Sequence, residues 1–375
     1  MELYLSKSKN KDKMEKILLT GPKIGSVSGI STHLQNIINS KLSQKYKFII
    51  TNAGKNRANE NAFQKTARII VDYLNFIRLL AVTDLVHINT SFSEKALLRD
   101  VILSVICKIA KKRHVIHFHS GKPVEEVLKK LILRNLIRFL NYNSDGLIFL
   151  LKSEKEYFNK YLKKKNNYQI YNGINYNLYK TIHKNFCDSG LIRLGYIGRI
   201  DYSKGILDSI EVVKILICEK QLPVNFMIAG YGNAENIARK KSKEYGIDQN
   251  VKFLGIVNGD QKKKFWETVD IFLFPTKFSE GIPYALLESM ASGTPVITTQ
   301  SGGLKEIIEK IPCIIVVDQK NIEKIVNEII DLVKNPSRMV SISNSLRRSA
   351  KMIFSINKMV NELEECYKKV LMQNK

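Results

Sequence analysis

At 375 residues the chain is longer than one hydrophobic core usually organises, since single cores stop growing near ~250–300 residues, so two domains are the starting expectation. A composition of 44% hydrophobic and 25% charged residues excludes disordered and fibrous classes and is enough to bury a sizeable core. The formal net charge of +25 fits an acidic partner such as nucleic acid, anionic lipid or a phosphorylated substrate, or else a plain compositional bias toward lysine.

The five cysteines, Cys107, Cys187, Cys218, Cys313 and Cys366, are scattered and form no C-x-x-C pair, so they read as reduced structural thiols. The polar first sixteen residues contain no apolar signal region, and no apolar run is long enough to span a bilayer. A cytoplasmic protein is the expectation.

Short β-branched runs then alternate with helical patterns, the signature of βαβ units and a parallel sheet. Strands are expected at 16–20, 47–51, 85–89, 114–118 and 146–150, with helices at 30–42, 63–80 and 124–140 between them. After the turn Tyr171-Asn172-Gly173-Ile174, whose Asn-Gly pair suits a hinge, a second series begins. Its strands are expected at 192–197, 224–229, 251–254, 271–274, 295–299 and 313–317. The fold therefore reads as α/β with two doubly wound, Rossmann-like halves, 1–175 and 176–354. A terminal helix at 355–372 places Met359, Val360, Leu363, Tyr367, Val370 and Leu371 on one side, an apolar stripe that must dock on something.

Three segments carry chemistry. The loop from Gly21 through Gly25, Ser28 and Gly29 to His33 runs from a strand into a helix, where glycines let backbone N–H groups approach a phosphate. It has the spacing of neither the dinucleotide nor the P-loop fingerprint, and a tight turn explains it as well. In Gly195-Tyr-Ile-Gly198-Arg199-Ile-Asp201-Tyr-Ser-Lys204-Gly205, two cations follow a strand, where ligands of such sheets bind, and they suit a diphosphate; the alternative is a solvated pair beside a turn. In the run from Phe274 to Pro295, Pro283 suits a first helical position and Gly293 a C-terminal cap. Glu280 then lies before the helix and Glu288 in its second turn, with helix N–H groups between them for an anion. The plainer reading makes Glu280 a helix-dipole partner and Glu288 a surface residue.

The pattern Glu280-x7-Glu288, preceded by Gly198-Arg199-x4-Lys204-Gly205, resembles the retaining glycosyltransferases of family 4, which have the GT-B fold. The likeness extends to Gly25–Gly29, His117-Phe118-His119-Ser120-Gly121, Asn172-Gly173-Ile174, Ala229-Gly230-Tyr231-Gly232, Phe253-Leu254-Gly255 and Ser301-Gly302-Gly303, over most of the chain. It implies two Rossmann-like domains facing across a cleft, with the segment 355–375 crossing back to the first. It implies that Arg199 and Lys204 bind the donor diphosphate, Glu288 the ribose hydroxyls and Glu280 the transferred sugar. Gly281, Ile282 and Pro283 count among the nucleotide-binding positions, Gly29 with the loop that closes on the diphosphate, and His119 matches the family's active-site histidine. His117 reads as a strand residue facing the core or the cleft wall.

The resemblance further implies a nucleotide-sugar, UDP-linked or GDP-linked, as co-substrate, and a glycan or lipid-linked acceptor in surface polysaccharide synthesis. No Asp-x-Asp motif stands near a strand end, so transfer without a metal or other cofactor is expected. A basic nucleic-acid-binding protein is the alternative from the charge, but the basic residues are dispersed and no nucleic-acid signature appears. A catalytically inactive binding subunit is a third reading, opposed by the intact Glu280, Glu288, Arg199, Lys204 and His119. Finally, 122–140 reads as one amphipathic helix with Lys130, Arg134 and Arg138 on a stripe beside a broad apolar arc. Such a helix suits an anionic membrane surface on the inner face of the cell, or else a core helix with a solvated basic edge.

Overall fold

The computed structural model describes residues 14–26, 28–53, 61–119, 122, 124–162, 166–187 and 190–372; Val27, Ser120, Gly121 and Pro123 of the motifs above lie outside the described residues. The chain divides into two compact units, one of 1–173 with 356–375 and one of 174–355.

The first unit is built on a six-stranded parallel sheet. Its strands are β1 (Lys16–Gly21), β2 (Lys47–Asn52), β3 (Leu85–Thr90), β4 (Arg113–Phe118), β5 (Gly146–Phe149) and β6 (Asn167–Gln169), in the order β2-β1-β3-β4-β5-β6. Strand side chains alternate between faces. One face sends Leu18, Val86, Ile88, Ile116 and Phe118 into a core with the helices Ala62–Leu80, Glu94–Ile109 and Leu131–Asn143. The other sends Ile17, Leu19, Leu85 and Val115 toward the helix Gly29–Ile38 and the final helix Ile356–Met372. The apolar stripe of that final helix, including Met359, Leu363 and Tyr367, is buried on this sheet face, together with Cys366.

Three local expectations are corrected. The strand β6 carries no apolar run, which is why its Asn-Tyr-Gln was not legible. The first helix stops at Ile38, and Ser40 accepts the Leu42 N–H to start a separate 3₁₀ turn, Lys41–Gln44. The helix expected over 124–140 is two, Val124–Lys129 and Leu131–Asn143, separated by Lys130 in extended conformation (φ −80°, ψ 111°). The break lets each piece bury its own set, Val124, Val127 and Leu128 on one, Leu133, Ile137 and Leu140 on the other. Leu131 and Ile132 are left exposed at 59% and 61%.

The second unit holds a second six-stranded parallel sheet: β7 (Ile192–Ile197), β8 (Val224–Ala229), β9 (Val251–Gly255), β10 (Ile271–Phe274), β11 (Val296–Thr299) and β12 (Ile315–Val317). The order is β12-β11-β10-β7-β8-β9, so the winding reverses between β7 and β10. In doubly wound sheets the crevice beyond the carboxyl ends at such a reversal is where ligands bind.

Candidate active site

The loops leaving β7 and β10 bring together Arg199, Lys204 and Glu280. Their backbones are tightly fixed. Gly198 donates its N–H to Ala229 O (3.0 Å) and Ile200 to Tyr231 O (2.9 Å), so the Arg199 loop lies against the loop after β8. That approach requires Gly230, at φ +132°, because a Cβ there would stand 1.8 Å from Gly198 O. Asp201 Oδ1 accepts from Ser203 N (2.9 Å) and Oγ (2.7 Å), which starts the 3₁₀ turn Tyr202–Lys204 and holds its carboxyl below the usual range. Gly205 ends the turn at φ +76°, with space for a Cβ denied by Pro275 O at 2.1 Å.

Lys204 is thereby aimed at the β10 loop. Its Nζ donates to Glu280 Oε1 and lies 4.1 Å from the centroid of the Phe278 ring. The two side chains are only 13% and 9% exposed, and burial lowers the Lys204 pKa against the raising effect of Glu280. Glu280 Oε1 also accepts from Thr276 Oγ1 (3.2 Å), and its backbone oxygen accepts from Gly303 N (2.7 Å). Arg199 is exposed, with its guanidinium 5.8 Å from the same Phe278 ring. The site thus offers one buried, neutralised ion pair and one solvent-facing cation.

The helix Tyr284–Ser292 follows at once, with Pro283 as its extended N-cap (ψ 132°), one position earlier than expected, and Gly293 as its left-handed C-cap. Its N-cap Pro283 makes no side-chain cap bond. Glu288 is buried rather than on the surface: Oε1 accepts from Lys262 Nζ (2.9 Å) and Oε2 from Trp266 Nε1 (3.2 Å). Far earlier in the chain, the Lys184 ammonium donates to the carbonyl oxygens of Trp266 and Val269, and burial lowers its pKa to about 7.

In the first unit Gly29 opens the helix Gly29–Ile38, whose N-cap Ser28 makes no side-chain cap bond. One turn on, His33 meets His117 and His119 of β4 and its end, with ring centroids 4.9 and 4.6 Å away. His117 Nδ1 pairs with His87 Nε2 (3.1 Å), and His87 Nδ1 with Tyr367 Oη (2.7 Å). His119 Nε2 meets Asn89 Oδ1 at 2.6 Å. Burial pushes the pKa values of His33 and His87 down to about 3, and those of His117 and His119 well below the usual value; neighbouring imidazoles add to the effect at His87, His117 and His119, whereas the Asn172 hydrogen bond opposes it at His33.

Residues 180–351 match the family model described as glycosyl transferases group 1. The fold is GT-B. It is carried by HepE of Anabaena, solved with UDP-glucose (TM-score 0.72, 17% identity, 94% of this chain and 99% of that one). Sucrose-phosphate synthase of Thermosynechococcus elongatus shares it (TM-score 0.73, 14% identity, 96% and 100%). Among curated relatives, an uncharacterized glycosyltransferase of Methanocaldococcus jannaschii is 34% identical over 30% of this chain and 28% of its own length. The capsular polysaccharide biosynthesis glycosyltransferase CapM of Staphylococcus aureus is 28% identical over 53% and 51%. The chain thus matches about a quarter to a half of the length of these relatives.

Within this GT-B chain, sequence reasoning missed Lys262, Trp266, Phe278, Lys184, His33 and His87. Lys262 sits in a Lys-Lys-Lys run with no local mark, and Trp266, the chain's single tryptophan, reads as core. The histidines did leave a signal: Asn89, His117 and His119 share a sheet face with His87, by the two-residue alternation of paired strands.

Proposed function

We propose that the protein is a retaining glycosyltransferase that moves a sugar from a nucleoside-diphosphate donor, UDP-linked for preference, to a hydroxyl of a glycan or lipid-linked acceptor in surface polysaccharide synthesis. The observation that carries this is the gathering of Arg199, Lys204 and Glu280 at the reversal of the second sheet. Breaking the bond from the anomeric carbon to the β-phosphate oxygen puts negative charge on the leaving group and oxocarbenium character on the ring. Arg199, Lys204 and the N-terminus of the Tyr284–Ser292 helix meet the first demand, and the carboxylate of Glu280 the second. An incoming diphosphate draws Lys204 from Glu280 and leaves that carboxylate for the sugar. The acceptor oxygen then bonds the same face of the anomeric carbon, its proton passing to the departing phosphate, so Glu280 forms no covalent bond.

Glu288 with Gly281, Ile282 and Pro283 is assigned to the nucleotide, Gly29 to the diphosphate loop, and His119 to the transfer site. Two fixed cations do the work often given to Mg²⁺, so the transfer itself is assigned no metal. CapM and the UDP-bound HepE support the donor and pathway class. The test is incubation with a panel of nucleotide-sugars without acceptor, with release of nucleoside diphosphate as the readout and the anomer released read by NMR.

The exposed Leu131, Ile132 and Phe139 beside Lys130 and Arg138 support a further assignment, contact of 122–140 with an anionic membrane surface. No helix among the described residues is long and apolar enough to cross a membrane.

A further inference from the structure

We propose that His33, His117 and His119 form a binding site for a single transition-metal ion of the Zn²⁺ class. Nitrogens of the three imidazoles come within 4.8 Å of one another, in a pocket where His33 and His117 are fully buried and His119 partly so. Zn²⁺ held at 2.0–2.1 Å by tetrahedral nitrogens needs them about 3.3 Å apart, so the rings close toward one another when the ion binds.

The arrangement behind the rings separates this cluster from a chance meeting of histidines. Metal-bound imidazoles donate their far N–H to a fixed partner, which sets the tautomer and aims the lone pair. His119 Nε2 meets Asn89 Oδ1, an oxygen that only accepts, and Asn89 is locked in that orientation because its Nδ2 donates to Thr20 O (2.9 Å). His119 therefore carries its proton on Nε2 and presents Nδ1 as a lone pair. His117 Nδ1 pairs with His87 Nε2, and His87 Nδ1 with the Tyr367 hydroxyl; in the tautomer the proposal requires, His117 donates from Nδ1 to His87 and leaves its Nε2 for the ion. That Nε2 is a buried nitrogen with no hydrogen-bond partner among the described residues. The third ligand, His33, is hydrogen-bonded by the Asn172 side chain.

Three neutral imidazoles suit Zn²⁺, Ni²⁺ or Cu²⁺ and not the oxygen-seeking Mg²⁺, so this ion is not a diphosphate-bridging metal. Because the site takes the Nδ1 lone pair of His119, an ion there inhibits transfer. That second part rests on the proposed role of His119, whereas the site itself does not.

The test is titration of the full, metal-stripped chain with Zn²⁺ against a chromophoric chelator. The wild type is expected to bind one ion, His33→Gln and His117→Gln to bind it more than ~100-fold more weakly, and Asn89→Ala ~10–100-fold more weakly. His183→Gln, an exposed histidine in the other unit, is expected to match the wild type. Absence of stoichiometric binding, or retention of it in both ligand variants, overturns the site. Should those variants misfold, X-ray absorption of the Zn²⁺-loaded wild type decides: three imidazole nitrogens support the site, and a sulfur shell overturns it. If the ion binds as described but leaves donor turnover unchanged, the inhibitory part fails and the role of His119 with it, while the site stands.

Discussion

Lys204 and Glu280 form an ion pair that is almost wholly buried, with side chains 13% and 9% exposed, although they come from loops 76 residues apart in the chain. Each is held by backbone that permits little choice, Lys204 by Gly205 and Glu280 by its bridge to Gly302. On the proposed reading a diphosphate entering this site would replace one anion on Lys204 by another, leaving the Glu280 carboxylate with its Thr276 hydroxyl donor.

Removing either cation is therefore expected to act on turnover. Lys204→Ala and Arg199→Ala should each lower donor turnover by about a hundredfold or more, the usual cost of losing one preorganised charge stabiliser. They should differ in stability. Lys204→Ala leaves Glu280 buried without its cation, a loss of ~3–5 kcal/mol, whereas exposed Arg199→Ala should unfold like the wild type. Urea titrations alongside initial rates check both.

The two glutamates should separate into different phenotypes. Glu280→Gln is expected to fold, to bind free nucleoside diphosphate and to transfer little sugar. Glu288→Ala is expected to weaken nucleotide binding, and also to lose ~1–3 kcal/mol of stability, because Lys262 and Trp266 Nε1 lose their acceptor. Calorimetric titration of UDP into each variant distinguishes them, and exchanged phenotypes would reverse the assignment.

Two glycines test whether backbone or ligand sets their identity. Gly205→Ala puts a Cβ 2.1 Å from Pro275 O at a positive φ, so it should destabilise by ~1–3 kcal/mol or more and displace Lys204. Gly29→Ala meets nothing within 4 Å and stands in a helix, so thermal unfolding should be unchanged while donor affinity falls.

Stability should also depend on pH through Lys184. Its folded pKa of about 7 lies below the ordinary value near ~10.4, so between these limits the unfolded chain binds more protons than the folded one. Stability then rises with pH across that window, by at most ~1.4 kcal/mol per unit from this group. In Lys184→Met that contribution should vanish, as measured by chemical denaturation from pH 6 to 10.

At the membrane, the wild type should pellet with anionic vesicles at low salt, and Lys130→Glu/Arg134→Glu/Arg138→Glu should not. Equal pelleting of both proteins would leave the segment without a membrane role.

The sequence made the sheets legible because parallel strands are near-continuous apolar runs. The cationic and acidic loops were legible because ligand-binding residues of such sheets follow strand ends at fixed offsets. What escaped depends on tertiary contact. Glu288 stood out in the sequence, but its partners Lys262 and Trp266 come from the helix Gly259–Thr268 and left no local mark. The break at Lys130 has no proline or glycine to announce it; it arises from how two short apolar sets meet the core. His33, His87 and His117 come from three separate elements, and only the sheet register brings the last two onto one face.

The central claim is that Arg199 and Lys204 hold the diphosphate of a nucleotide-sugar. It is tested most directly by calorimetric titration of UDP and GDP into the wild type, Lys204→Ala and Arg199→Ala, each checked for folding. The account predicts one site per chain in the wild type with a preferred nucleotide, and affinity at least tenfold weaker in each variant. Wild-type protein that binds no nucleoside diphosphate, or variants that bind as tightly as the wild type, would contradict it.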